Sequence, residues 1–215
     1  MRRALFVSIG LHLAQQLSGI NGILYYSTSV FRLAGVNDAD IATVAIGLVL
    51  VIVTFITVFV IELAGRRTLM LYGLGGMAVS FLLLTAMFCL QDGFYHNSSS
   101  HYVTAPGVLL VIFSLTTVAL FAMGPGSIPW LMVSELFLQE ARPIAVGIAT
   151  IVNWFANFTV GLTFPYILKY LYPYGTSVFV VTCGALWVYL YRYLPETKGL
   201  SVEQVTARLR RSVGT

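Results

Sequence analysis

The sequence predicts an all-α membrane protein with six transmembrane helices. Of its 215 residues, 58% are hydrophobic and 9% charged, whereas a soluble domain carries about 25% charged residues because its surface faces water. Six apolar runs are long enough to cross a bilayer, which takes about 20 helical residues each. The runs are continuous and do not alternate over about ten residues, so helices are favoured over barrel strands.

In order along the chain the spans are 4–31, 41–62, 68–90, 103–134, 144–168 and 175–193. Met1-Arg2-Arg3 before an apolar stretch superficially resembles a signal peptide. His12, Gln15 and Gln16 interrupt that stretch and no small-residue cleavage site follows, so it reads as a retained first span. One side of the six spans holds Arg2, Arg3, Arg66, Arg67, Arg142, Arg192, Lys198, Arg208, Arg210 and Arg211, and the other holds Arg32 and Lys169. That bias makes the first side, with both termini, cytoplasmic. The loop 91–101 then lies outside and carries the sequon Asn97-Ser98-Ser99, a possible glycosylation site.

The first span is the richest in polar residues: Gln15-Gln16-Leu17-Ser18-Gly19-Ile20-Asn21-Gly22, followed by Tyr25-Tyr26. On a straight helix Gln16 and Asn21 point roughly 140° apart and could not reach one ligand. A break at Gly19 or Gly22 would let them converge, and glycine-interrupted spans point to transporter binding sites. A Gly-x-x-Gly packing face, with the amides bonded to neighbouring helices, accounts for the same residues equally well.

The fourth span carries Gly124-Pro125-Gly126-Ser127-Ile128-Pro129-Trp130. Each proline removes a backbone donor and clashes with the preceding turn. Two of them with flanking glycines should unwind or hinge the helix, which is tolerated at membrane depth only against protein or a water-filled cavity. A simple kink is the plainer alternative. The fifth span sets Asn153 and Asn157 on one face with Trp154 beside them. Amides and indole suit a sugar, whose hydroxyls need donors and acceptors while its C–H faces stack on aromatics. Bonding between helices serves these residues as well.

No Asp or Glu sits in mid-span. Glu62, Glu135, Glu140 and Glu196 lie at cytoplasmic ends beside Arg66, Arg67 and Arg142, where they could latch two bundles or form an ordinary solvated boundary. No nucleophile–base pair, metal set or phosphate loop appears, so an enzyme is not indicated and no cofactor is implied. Cys89 and Cys183 make no spacing motif and read as buried thiols. The net charge of +4 is spread between apolar runs and not gathered in one patch, which sets nucleic acid aside as a partner.

Gln15-Gln16-Leu17-Ser18-Gly19-Ile20-Asn21, Gly65-Arg66-Arg67-Thr68, Gly124-Pro125-Gly126-Ser127-Ile128-Pro129-Trp130, Asn153-Trp154 and Pro195-Glu196-Thr197-Lys198-Gly199 resemble the facilitative glucose transporter family, in the sugar-porter branch of the major facilitator superfamily. The resemblance runs from about Ala4 to Arg210. It matches the C-terminal half of that fold, its seventh to twelfth spans, built as two inverted three-helix repeats. The resemblance implies that Gln15, Gln16, Asn21, Trp130 and Asn153 bind sugar. It makes Tyr25, Tyr26, Gly124, Pro125 and Pro129 gate elements, and Glu62, Arg66, Arg67, Glu135, Arg142 and Glu196 an inner salt-bridge network.

Three positions depart from the family pattern. His12-Leu13-Ala14 stands where glucose-selective members have Gln-Leu-Ser, Leu50 replaces a sugar-contacting asparagine, and Ala122 replaces a glutamate. The departures leave fructose or a polyol open beside glucose.

The resemblance further implies facilitative hexose transport by alternating access, in a multi-pass protein of the plasma membrane. The expected partners are the sugar, the lipid bilayer and a missing N-terminal six-helix half. A truncated, non-transporting regulator or sensor is the alternative. Residues 1–194 form the membrane bundle and 195–215 a cytoplasmic tail. In the tail, Ser201 and Gln204 form a capping box ahead of Val202, Val205 and Leu209 on one helical face.

Overall fold

A computed structural model of the chain describes residues 2–33, 36, 38–97 and 105–211. Among these residues the secondary structure is helical: α1 (Arg2–Leu17), α2 (Ile20–Leu33), α3 (Ala39–Ala64), α4 (Arg66–Asn97), α5 (Ala105–Met123), α6 (Ile128–Leu136), α7 (Arg142–Leu171), α8 (Ser177–Tyr193) and α9 (Val202–Arg211). Among the described residues, four segments are long and apolar enough to cross a membrane: Ala39–Ala64, Arg66–Gly93, Pro106–Leu136 and Arg142–Leu171. The first predicted span is divided between α1 and α2, of 16 and 14 residues, and α8 has 17. Each of these three is shorter than the roughly 20 residues of one uninterrupted crossing.

The bundle is apolar on its outside as well as in its core. Val51, Phe55, Phe59, Leu63, Ile151 and Phe155 are exposed, which water would penalise and lipid does not. Inside, small residues let backbones approach. A Cβ on Gly73 of α4 would stand 2.7 Å from the Leu120 carbonyl of α5, and one on Gly124 would stand 2.5 Å from the Leu69 carbonyl of α4.

Two interruptions decide where polar groups can gather. Gly19 takes φ 84°, a left-handed conformation that a side chain resists, and ends α1. The carbonyls this leaves over are taken up by α8: the Thr182 hydroxyl donates to the Leu17 carbonyl at 3.0 Å and the Cys183 thiol to the Ser18 carbonyl at 3.5 Å. Gly22 does not break the chain. It stays helical, and its missing Cβ makes room for the Phe164 ring. The second interruption is the turn between α5 and α6, where the Gly126 amide reaches back to the Phe121 carbonyl at 2.8 Å. Pro125 sits in this turn. Pro129 sits in the first turn of α6, where a proline displaces no helical bond.

Helix α4 runs two turns beyond its predicted end at residue 90, because Gly93 costs an exposed helix only about 1 kcal/mol and Gln91 is buried. Asn97 is its last residue, and the rest of the sequon lies outside the described residues. In the tail, the Ser201 amide donates to Gln204 Oε1 at 3.0 Å and the Gln204 amide to Ser201 Oγ at 3.3 Å, which starts α9.

Candidate functional site

The break at Gly19 re-aims α2 so that Asn21 turns back onto α1. Asn21 Nδ2 donates to Gln16 Oε1, a bond that a straight helix would forbid. From α7, Asn153 meets the same cluster. Gln16 Nε2 donates to Asn153 Oδ1 at 2.9 Å, and Asn153 Nδ2 donates to Gln15 Oε1 at 2.6 Å. Gln15 Nε2 in turn donates to the Gly126 carbonyl at 2.7 Å, in the second interruption. Amides from α1, α2 and α7 and the unwound turn before α6 therefore form one connected set, nearly all of it buried.

Trp130, on the first turn of α6, lies edge-on to His12 with ring centroids 4.7 Å apart. It is 43% exposed, while Gln16 and Asn153 are 9% and 1% exposed. The cluster thus has an aromatic face open on one side and an amide floor behind it. Such a surface matches a polyhydroxylated ligand: hydroxyls exchange bonds with the amides, and apolar faces lie against the ring.

Two members lie outside the expected set. His12 is fully buried, its Nδ1 3.1 Å from Asn153 Nδ2, and its Nε2 has no hydrogen-bond partner among the described residues. Asn157 Nδ2 donates to Gln16 Oε1 at 3.3 Å and to the Tyr25 hydroxyl at 3.1 Å. Spacing carried both signals: His12 is one turn before Gln16 and Asn157 one turn after Asn153. Of the two departures in other helices, Leu50 packs at the core margin of α3 and Ala122 is buried in α5.

The two tyrosines differ in their setting. Tyr25 is 56% exposed, with its hydroxyl at Asn157. Tyr26 stacks on Phe164 at 5.5 Å and donates to the Gly161 carbonyl at 2.9 Å, which ties α2 to α7.

At the arginine-rich end, one guanidinium gathers the carboxylates. Arg66 donates from Nη2 to Glu62 Oε1 at 2.7 Å and from Nε to Glu135 Oε1 at 3.1 Å. Glu196 joins through the backbone, accepting the Arg66 and Arg67 amides at 3.0 and 3.1 Å. Gly65, at φ 88°, leaves the space for that carboxylate.

Among the described residues, Arg67 and Arg142 stand outside the ion pairs. Arg67 donates to the Tyr191 carbonyl at 2.7 Å and lies over the Tyr191 ring, and Arg142 donates to the Phe137 carbonyl at 3.5 Å. Each is drawn to the nearest helix C-terminus, whose carbonyls are otherwise free.

Residues 1–209 match the family of sugar (and other) transporters. The chain is 44% identical over 214 residues to facilitated glucose transporter member 3 of Ovis aries, covering 100% of this chain and 42% of that protein. It is 42% identical to facilitated glucose transporter member 2 of Gallus gallus, over 98% of this chain and 38% of the relative. Among solved structures, the proton:xylose symporter XylE bound to 6-bromo-6-deoxy-D-glucose superposes with a TM-score of 0.81 at 28% identity, over 95% of this chain and 42% of that one. The inward open xylose transporter XylE from E. coli gives a TM-score of 0.80 at 27% identity. The chain spans about two fifths of the length of these proteins, all of which are transporters and not enzymes. It belongs to the sugar transporter family of the major facilitator superfamily.

Proposed function

We propose that this chain forms one wall of a facilitative hexose pathway that works by alternating access. The observation that carries the reading is the buried amide cluster of Gln15, Gln16, Asn21 and Asn153, joined across two interrupted helices beneath the half-open ring of Trp130. In this reading α1 and α2 are the two halves of one interrupted span, α5 and α6 of another, and with α3, α4, α7 and α8 they make six spans. The interruptions fall in the first and fourth of these, the equivalent members of two three-helix repeats, which is the pattern of a midplane site between repeats.

The opposite wall is a second six-helix unit, in keeping with relatives more than twice as long. The arginine-rich end faces the cytoplasm of a plasma membrane. There the Arg66–Glu62–Glu135 cluster, with Glu196 behind it, latches the inner side while the Gly19 and Gly124–Pro125 breaks flex. Tyr25 is the mobile member of the outer gate, and Tyr26 anchors it to α7. Asn97, at the opposite end of α4, is the candidate glycosylation site.

Glucose and fructose are both candidate substrates. The relatives are named for glucose. His12, Leu50 and Ala122 depart from the glucose-selective pattern and leave fructose or another polyol open beside it.

Vesicles holding this chain together with the part of the Ovis aries relative that it does not cover provide the test. Saturable uptake of D-glucose or D-fructose above that of L-glucose is expected. Equal uptake of all three sugars, with the two pieces shown to be associated, overturns the proposal.

A further inference from the structure

We propose that His12 is a hydrogen-bond donor to one hydroxyl oxygen of the hexose, and that a single backbone carbonyl, that of Gly126, sets it to donate. The proposal rests on the hexose reading and adds to it a residue and a polarity. The polarity follows link by link. A backbone carbonyl has no proton, so the Gln15 atom 2.7 Å from the Gly126 carbonyl must be Nε2. Gln15 Oε1 then meets Asn153 at 2.6 Å and needs a donor, which makes the Asn153 atom Nδ2. Asn153 Oδ1 is left to accept from Gln16 Nε2 at 2.9 Å, and Gln16 Oε1 to accept from Asn21 and Asn157. The unwound turn before α6 thereby fixes every amide of the set in one of its two orientations.

The imidazole hangs on this chain of amides. Its Nδ1 lies 3.1 Å from Asn153 Nδ2, which is a donor, so Nδ1 accepts and bears no proton. The other tautomer would set two donors against each other at that distance. An imidazole with a bare Nδ1 carries its proton on Nε2. That N–H is fully buried and has no hydrogen-bond partner among the described residues.

An unmet buried donor costs about 1–3 kcal/mol, so a fold that keeps one calls for a partner that arrives with the ligand. Ser8 repeats the pattern one turn toward the arginine-rich end, on the same face of α1. Its Oγ is buried and has no hydrogen-bond partner among the described residues. The two together place the subsite on that side of the amide cluster. Trp130 lies edge-on against His12 and stands on α6, just beyond the Gly124–Pro125 break. Flexing at that break shifts the indole and opens the imidazole to the sugar.

Two measurements test it. Nitrogen NMR of the isotope-labelled 215-residue chain, with the His12 signals identified by their loss in His12→Gln, is expected to show a bare Nδ1 and a protonated Nε2. The opposite tautomer or a doubly protonated ring overturns the polarity, whatever the substrate. The second uses vesicles that pair the chain with the remainder of its Ovis aries relative. There the monodeoxy and monodeoxyfluoro derivatives of the transported D-hexose compete with its uptake. Fluorine accepts a hydrogen bond but has no proton to give. At one hydroxyl position, His12→Leu should weaken the parent hexose and the fluoro derivative about tenfold each, and the deoxy derivative not at all. His12→Gln, whose amide offers the same acceptor and donor, should stay within about threefold of wild type. The tautomer and His12→Gln decide the matter even where His12→Leu fails to insert. Stereoselective uptake in which His12→Leu weakens all derivatives alike, or in which His12→Gln is as weak as His12→Leu, overturns the proposal and leaves the hexose reading standing. Wild-type uptake without stereoselectivity removes both.

Discussion

The Tyr26 hydroxyl donates at 2.9 Å to the carbonyl of Gly161, the carbonyl that Pro165 deprives of its helical partner. A proline inside a helix has no N–H for the residue four positions back, and at membrane depth no water replaces it. A tyrosine on α2 and a proline on α7 are therefore two parts of one device. It binds the second half of the interrupted span to the helix that carries Asn153.

This relationship predicts a dependence between two substitutions. Tyr26→Phe should cost about 1–3 kcal/mol in wild type, the usual penalty for leaving a carbonyl unpaired where no water reaches it. In a Pro165→Ala background, where the alanine amide can satisfy Gly161, the cost should largely vanish. Chemical denaturation of the four proteins in detergent measures the coupling, and an equal cost in both backgrounds would contradict it.

The Gly19 break should be intolerant of any side chain. Gly19→Ala meets both a φ of 84° and the Phe179 ring, whereas Gly47 is in mid-helix with nothing within 4 Å. Gly19→Ala is expected to lower the thermal midpoint, and Gly47→Ala to raise stability by roughly 0.5–1 kcal/mol through helix propensity. A neutral Gly19→Ala would mean that the break is not needed for the fold.

The two carboxylates on Arg66 should not count equally. Their side chains are 67% exposed at Glu62 and 23% at Glu135, and Glu135 also accepts from the Thr197 hydroxyl. Solvent screens the first pair far more than the second. Glu135→Gln should cost about 1–3 kcal/mol and retain that cost in high salt. Glu62→Gln should cost less, and its effect should fade as salt rises. Denaturation at low and high ionic strength separates them, and the reverse order would show that exposure misranks the pairs.

Much of this could be read from residue types alone. The apolar runs announce the membrane because their composition excludes a water-facing surface. Gly19 and Gly124-Pro125 announce the interruptions because glycine and proline act on their own backbone. The remaining details depend on distant residues. Gly22 looks like a second break, but it is a packing notch for Phe164, 142 positions away. Arg67 and Arg142 look like ion-pair members because they neighbour acidic residues in sequence, yet helix-terminal carbonyls lie nearer in space. His12 is the instructive case. Within α1 it is a lone imidazole in an apolar run, and only the arrival of Asn153 and Trp130 makes it part of the site.

The central claim is that interrupted helices draw Gln16 and its partners into one hexose-binding surface. Its most direct test is the concentration dependence of D-hexose uptake by vesicles in which the chain is paired with the remainder of its Ovis aries relative, with and without Gln16→Ala. Loss of one or two hydrogen bonds to sugar should raise the half-saturating concentration about tenfold or more, with protein insertion unchanged. Uptake that continues with the wild-type half-saturating concentration would place the sugar elsewhere.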